Sequence, residues 1–125
     1  GDFLVRGIHG RDPDTGAVYV GENVRVGQTF RLHVRDAASA SDDLRQSLRR
    51  VASIGDTPAP AAGLVFSCNG RGQRLFGSAN HDAQMIADEI DVPTAGMFCN
   101  GEIGPVGGAS FLHAFTATMA VFFDI

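Results

Sequence analysis

Two cysteines, each followed by Asn-Gly, carry the most specific chemistry in the sequence. Phe66-Ser67-Cys68-Asn69-Gly70-Arg71-Gly72 and Phe98-Cys99-Asn100-Gly101-Glu102-Ile103-Gly104 share this tripeptide at an offset of 31 residues. Glycine at each corner lets backbone amides come close to a ligand. Arg71 and Glu102 follow the two corners at equivalent positions. A guanidinium takes a carboxylate in bidentate fashion and a carboxylate takes an amine, so this pair on one rim would clasp a zwitterion. The plainer alternatives are a salt bridge between the two, or two solvated charges.

Cys68 and Cys99 are candidate nucleophiles or metal ligands, and equally candidate core residues, because free cysteine is among the most buried residue types. A nucleophile needs a base. His81 and His113 are available, with Asp82 to orient one of them, which leaves a cysteine-dependent hydrolase or transferase open. The bland alternatives are a capping or surface role for His81 at a helix start, and a hydrogen-bonded core position for His113 between Phe111 and Phe115. No CxxC or HxxxH spacing supports a zinc site. Asp12-Pro13-Asp14-Thr15-Gly16 opens like a calcium loop but has Asn23 where that loop needs Glu. No metal or cofactor is expected.

The corners require a scaffold. Gly63–Cys68 is a near-continuous apolar run suited to a strand covered on both faces. A helix is predicted from Asn80 or His81 to Ile90, with Ala83, Ile86, Ala87 and Ile90 on one stripe and Pro93 beyond its end. Ala95–Cys99 is a second short apolar strand. Strand, helix and strand over this distance make a βαβ unit, whose strands are parallel. Both Cys-Asn-Gly corners then lie at one sheet edge, about 5 Å apart if the strands are neighbours. Carboxyl ends of parallel strands are where α/β folds hold ligands. Asn-Gly is also the strongest short signal for a hairpin turn. Against two plain hairpins, Arg71–Arg74 and Gly104–Gly108 read as loop rather than as alternating strands.

Around this unit the first third reads as antiparallel strands at Phe3–His9 and Ala17–Val20, separated by the turn chemistry of 12–16. Val24, Val26, Phe30, Leu32 and Val34 then alternate with Arg25, Arg31, His33 and Arg35, the pattern of a strand with one apolar face, interrupted at Gly27-Gln28 by a bulge. A helix follows, capped by Asp36, Ser39 or Ser41, with Leu44, Leu48 and Val51 at i, i+4, i+7. Gly55–Pro60 is a loop. After a Gly-rich loop over 103–110, Phe111–Phe123 reads as a central strand. The expected fold is α+β: a mainly antiparallel sheet with one parallel βαβ pair and two packed helices.

A length of 125 residues suits one domain, and 44% hydrophobic with 19% charged residues excludes disorder. The formal net charge is −4, all ten basic residues are Arg, and no basic stripe is present. Nucleic acid and anionic membranes are therefore not expected as partners. No apolar run reaches the roughly 18–20 residues of a membrane helix. Two cysteines are too few for a disulfide scaffold, so a cytoplasmic location is expected. The opening Gly1-Asp2-Phe3-Leu4 has no initiator Met and no signal-like segment, as in a piece of a longer protein.

The series "FLVRGI…DP..GA…VGENVRVGQTFRLHVRDA", "FSCNGRG…LFG…HD", "FCNGEIGPVGG" and "FLHAFTAT" resembles the C-terminal domain of FIST (F-box and intracellular signal transduction) proteins, in order over residues 3–125. The resemblance implies a sensory module binding a small ligand, with amino acids as candidates, an N-terminal FIST domain preceding this one, and a signalling partner. A scaffold for that neighbour is a further alternative. Motif positions that carry over as candidate ligand-binding residues are Cys68, Asn69, Gly70, Arg71, Gly72, His81, Asp82, Cys99, Asn100, Gly101, Glu102, Gly104, Pro105 and His113. Ala114 stands where the family block has Gly.

Overall fold

The apolar run that includes Gly63–Cys68 forms β3 (Pro60–Cys68), the middle strand of a three-stranded sheet in the computed structural model, which describes residues 3–55 and 58–124. On one side β3 pairs in parallel with β4 (Thr94–Cys99), and on the other antiparallel with β7 (Ala117–Phe123). The connection from β3 to β4 runs through a 3₁₀ turn (Asn69–Arg71), the single helical turn α2 (Gln73–Phe76) and the helix α3 (His81–Ile90). This is the expected βαβ unit, and its register sets Cys68 opposite Cys99. Neither Asn-Gly closes a two-stranded hairpin: the first enters the 3₁₀ turn and the second leads from β4 into a different sheet.

Ahead of the sheet lies α1 (Ala37–Ala52). Of the three candidate caps Asp36 serves, its Oδ2 accepting from the Ser39 amide at 2.8 Å. Arg49 and Arg50 occupy the last turn, where the helix dipole favours cations. The apolar stripes of α1 and α3 meet through Leu48, Met85 and Ile86, which form a core with Leu44, Val65, Ile90 and Met119 packed against it. Across the solvent side of this joint, Glu89 accepts from both Arg45 and Arg49. Among the described residues the remaining strands pair two by two: β1 (Ile8–Arg11) with β2 (Val18–Val20), and β5 (Glu102–Val106) with β6 (Ala109–His113), both antiparallel. Overall the chain is α+β with one parallel pair.

Four sequence expectations are corrected. The segment 103–110 is not a loop: residues 102–106 and 109–113 pair across a Gly107-Gly108 turn, and Pro105 is accommodated beside Ser110. Phe111–Phe123 is not one central strand. It breaks at Ala114-Phe115, where Phe115 takes φ of +61°, and β3 holds the centre. Phe3–Gly7 is not strand, since β1 starts at Ile8. Residues 24–34 alternate as a strand should but pair with no strand among the described residues. Gly27 (φ +94°) sits in a turn closed by the Gln28 amide on the Arg25 carbonyl, not in a bulge.

Candidate functional site

Cys68 ends β3 and caps the turn that follows, its Sγ accepting from the Gly70 amide at 3.4 Å. The turn is tight against its surroundings: a Cβ on Gly70 would run into the Phe115 ring and the Arg35 guanidinium. The turn swings Arg71 inward, where it is buried, and its Nε and Nη2 donate to the two carboxylate oxygens of Asp82 at 2.8 and 3.0 Å. Asp82, in the first turn of α3, also accepts from Ser67 Oγ (2.7 Å) and bonds His81 Nδ1 (2.9 Å). Burial acts to raise the pKa of this carboxyl, but the hydrogen bonds from Arg71, Ser67 and His81, together with the Arg71 charge, outweigh it and hold the group below its ordinary value.

His81 is fixed on three sides. Its ring lies flat on Phe76, with centroids 3.5 Å apart and planes within 3°. Its Nδ1 meets Asp82, and its Nε2 lies 2.8 Å from Ser41 Oγ on α1. The order Ser41–His81–Asp82 has the connectivity of a nucleophile, base and orienting acid. Its parts are otherwise engaged, however. Ser41 Oγ also bonds the Ala37 carbonyl within α1, and Asp82 is committed to Arg71. The network ties α1, the corner turn and α3 together.

These groups border a cavity of about 690 Å³ between the β3–β4 face and the α2–α3 connection. Asn69, Arg71, Gly72, His81 and Asp82 of the expected residues line it, together with Ser67, Asn80 and apolar side chains including Phe98. Asn80 precedes α3 in the left-handed region and makes no side-chain cap, so the first amides of α3 are not satisfied by a cap from it. Asp82 has its acceptor positions filled, whereas Arg71 Nη1 has no hydrogen-bond partner among the described residues. The cavity therefore offers donors: a guanidinium edge, a helix N-terminus and two asparagine amides.

The second corner is built differently. Glu102 is fully buried, and Oε1 accepts from the Gly101 amide at 3.2 Å. Its Oε2 takes both the Thr116 amide (3.3 Å) and the Thr116 hydroxyl (3.0 Å). Glu102 and Arg71 thus form neither an ion pair with each other nor an open clasp. The Gly70 and Gly101 amides, expected to face a ligand, donate internally. His113 Nε2 bonds the Gly104 carbonyl at 2.9 Å, the core arrangement that its flanking phenylalanines suggested. Gly104, Pro105 and His113 line a separate, wider groove, which shares Arg71 with the first cavity. Cys68, Gly70, Cys99, Asn100, Gly101 and Glu102 line neither. Cys68 is buried, Cys99 is partly so, and the described hydrogen bonds give neither thiol a histidine partner. No group of three His, Cys, Asp or Glu side chains among the described residues is placed to hold a metal ion.

Sequence reasoning passed over Ser41, Ser67 and Phe76. Ser67 stood beside the motif and could have been drawn in by it, and Phe76 stood in the Leu-Phe-Gly block. Ser41 lies 40 residues before His81, and only the packing of α1 on α3 joins them.

The sequence profile of the FIST C domain matches residues 1–105. The chain belongs to the FIST C domain family. Such domains are associated with signal transduction. This FIST C domain is 54% identical over 125 residues to an uncharacterized protein of Mycobacterium tuberculosis, a match covering 99% of the chain and 32% of the relative. An uncharacterized Mycobacterium bovis protein is 51% identical over 126 residues, with the same two shares. An F-box/LRR-repeat protein of Arabidopsis thaliana is 30% identical over 101 residues, covering 78% of the chain and 19% of that protein. The chain thus spans about a third of the length of its mycobacterial relatives. No helix among the described residues is long and apolar enough to cross a membrane.

Proposed function

We propose that this FIST C domain acts as a sensory module of cytoplasmic signal transduction, binding a small carboxylate-bearing metabolite, such as an amino acid, in the 690 Å³ cavity. The observation that carries the reading is the donor set converging on an otherwise apolar chamber of ligand size. Arg71 presents its free edge, and the adjacent N-terminus of α3 is a natural anion site. Bidentate pairing with Asp82 fixes the guanidinium plane before a ligand arrives, so little ordering cost remains. Asn69 and Asn80 supply amide oxygens and nitrogens at the rim for an amine or hydroxyl. Glu102, sequestered by Thr116, has no part in this scheme.

Arg71 also supports a route for the signal. It borders both the cavity and the groove that contains Gly104, Pro105 and His113. A ligand drawing on the guanidinium would load the β5–β6 hairpin, and through it a neighbouring domain or signalling partner.

The test is thermal denaturation of the polypeptide against a panel of amino acids and small mono- and dicarboxylates. A ligand at a hundred times its Kd stabilises by about 2.7 kcal/mol, a shift of several degrees. Ala83→Phe, which crowds the cavity from α3 without touching the Arg71–Asp82 pair, is expected to abolish the shift. Absence of a shift with every compound, or an undiminished one in Ala83→Phe, overturns the reading.

A further inference from the structure

The segment 24–35 leaves the apolar half of its alternating pattern in water. Its even-numbered residues Val24, Val26, Phe30, Leu32 and Val34 are apolar, and each is at least 67% exposed. Arg31, His33 and Arg35 alternate with the last three of these and touch rings of the domain. The Arg31 guanidinium sits 4.7 Å above the Phe3 ring, His33 tilts against the same ring at 6.0 Å, and Arg35 lies 4.7 Å above Phe115. A strand edging a single domain buries its apolar face instead. Scattered exposed apolar residues are ordinary, but Phe30, Leu32 and Val34 alternate strictly along one extended stretch and form a built surface, with Val24 and Val26 exposed ahead of the turn. Beyond the turn at Gln28, residues 29–35 make no backbone–backbone hydrogen bond among those of the described residues, so their amides and carbonyls are open to a partner as well.

We infer that residues 28–35 are a docking strand: their apolar face and free backbone edge are covered by a β-structured part of the same polypeptide lying outside residues 1–125. The occupant is argued from length. The mycobacterial relatives match this chain over nearly all of it, yet two-thirds of each relative lies beyond the match, ample polypeptide for a covering sheet. A strand added to a free edge gains main-chain hydrogen bonds for affinity and alternate side-chain pockets for register. Cation–π contacts from Arg31 and Arg35 hold the strand to its own domain while its other face meets the neighbour. The inference is independent of the ligand cavity, which residues 28–35 do not line.

Hydrogen–deuterium exchange on the full-length polypeptide, at concentrations where sedimentation shows a monomer, tests it. Slow exchange of the 29–35 amides is expected, comparable with those of β3. Leu32→Asp is expected to speed exchange in this segment at least tenfold, while α1 and α3 amides keep their protection and so report an intact core. Leu32→Thr, which leaves less charge in the interface, is expected to give a smaller change in the same direction. Coil-like exchange in the full-length monomer overturns the inference, as does protection that appears only on dimerisation, which would make a second copy the occupant. Indifference of the segment to Leu32→Asp also overturns it.

Discussion

Asp82 shows how much of this molecule rests on one carboxylate. It joins a strand residue (Ser67), a turn residue (Arg71) and a neighbour on its own helix (His81), and each partner would be buried or half-buried without it. Removing one member of a buried ion pair leaves the other charge uncompensated, typically at a cost of about 3–5 kcal/mol. Asp82→Ala is therefore expected to destabilise by that order in urea denaturation, and Asp82→Asn by less. The pH dependence follows from the depressed pKa. Because the folded state holds this carboxyl below its unfolded value, its stabilisation is fully present above the unfolded pKa and fades as pH falls through the folded one. Asp82→Asn should accordingly flatten the acid limb of a stability-versus-pH curve, measured by urea midpoints across the acidic range. An unchanged acid limb would show that the ion pair does not govern it. Neither Arg71 nor Asp82 announced the other. Both stood in motifs that the sequence singled out, but they stand eleven positions apart across turn and helix, and the sequence offered Arg71 a different partner in Glu102.

At the scale of elements, legibility followed how local the stabilising contacts are. The helices α1 and α3 and the strands β3 and β4 announce themselves through their own periodicity or apolar runs, and the repeated Cys-Asn-Gly placed the two corners side by side because parallel register needs only matched strand ends. The β5–β6 hairpin was hidden by its composition. Glycines and a proline favour loop on propensity alone, and only the cross-strand pairing with 109–113 makes them strand. The 24–34 segment failed in the opposite sense, since its alternating pattern is that of a strand but it pairs with no strand among the described residues. The β3–β4 joint carries its own test. Gly96 faces Val65, and a Cβ there would collide with the Val65 carbonyl oxygen and side chain. Backbone cannot yield as a flexible side chain would, so Gly96→Ala is expected to lower stability by about 1–3 kcal/mol through displacement of β4. It should also distort the cavity wall, weakening any ligand-induced thermal shift. Retention of wild-type stability would mean that the two strands part without penalty.

For the whole molecule, the decisive feature is how little of its apolar surface the chain can cover by itself. The buried hydrophobic core among the described residues consists of Leu48, Cys68, Met85 and Ile86, while Met97, Phe98, Ile103, Leu112 and Phe122 stand largely exposed. The sheet order leaves β4 at an edge, and Thr94–Cys99 contains no charge, no proline and no bulge to blunt it. An unprotected apolar edge recruits another strand. If the rest of a longer polypeptide does not supply one, a second copy will. Residues 1–125 on their own are therefore expected to associate as concentration rises, through β4 edges paired antiparallel, with sedimentation velocity reporting the growth in mass. A lysine at the edge would need to keep its ammonium in water and would oppose its symmetry mate, so Phe98→Lys should hold the 125-residue chain monomeric. Phe98 is exposed and lies outside the Leu48–Met85–Ile86 core, so the circular dichroism should be unchanged. A wild-type chain that stays monomeric at several hundred micromolar, or a Phe98→Lys variant that associates equally, would exclude the β4 edge as the contact.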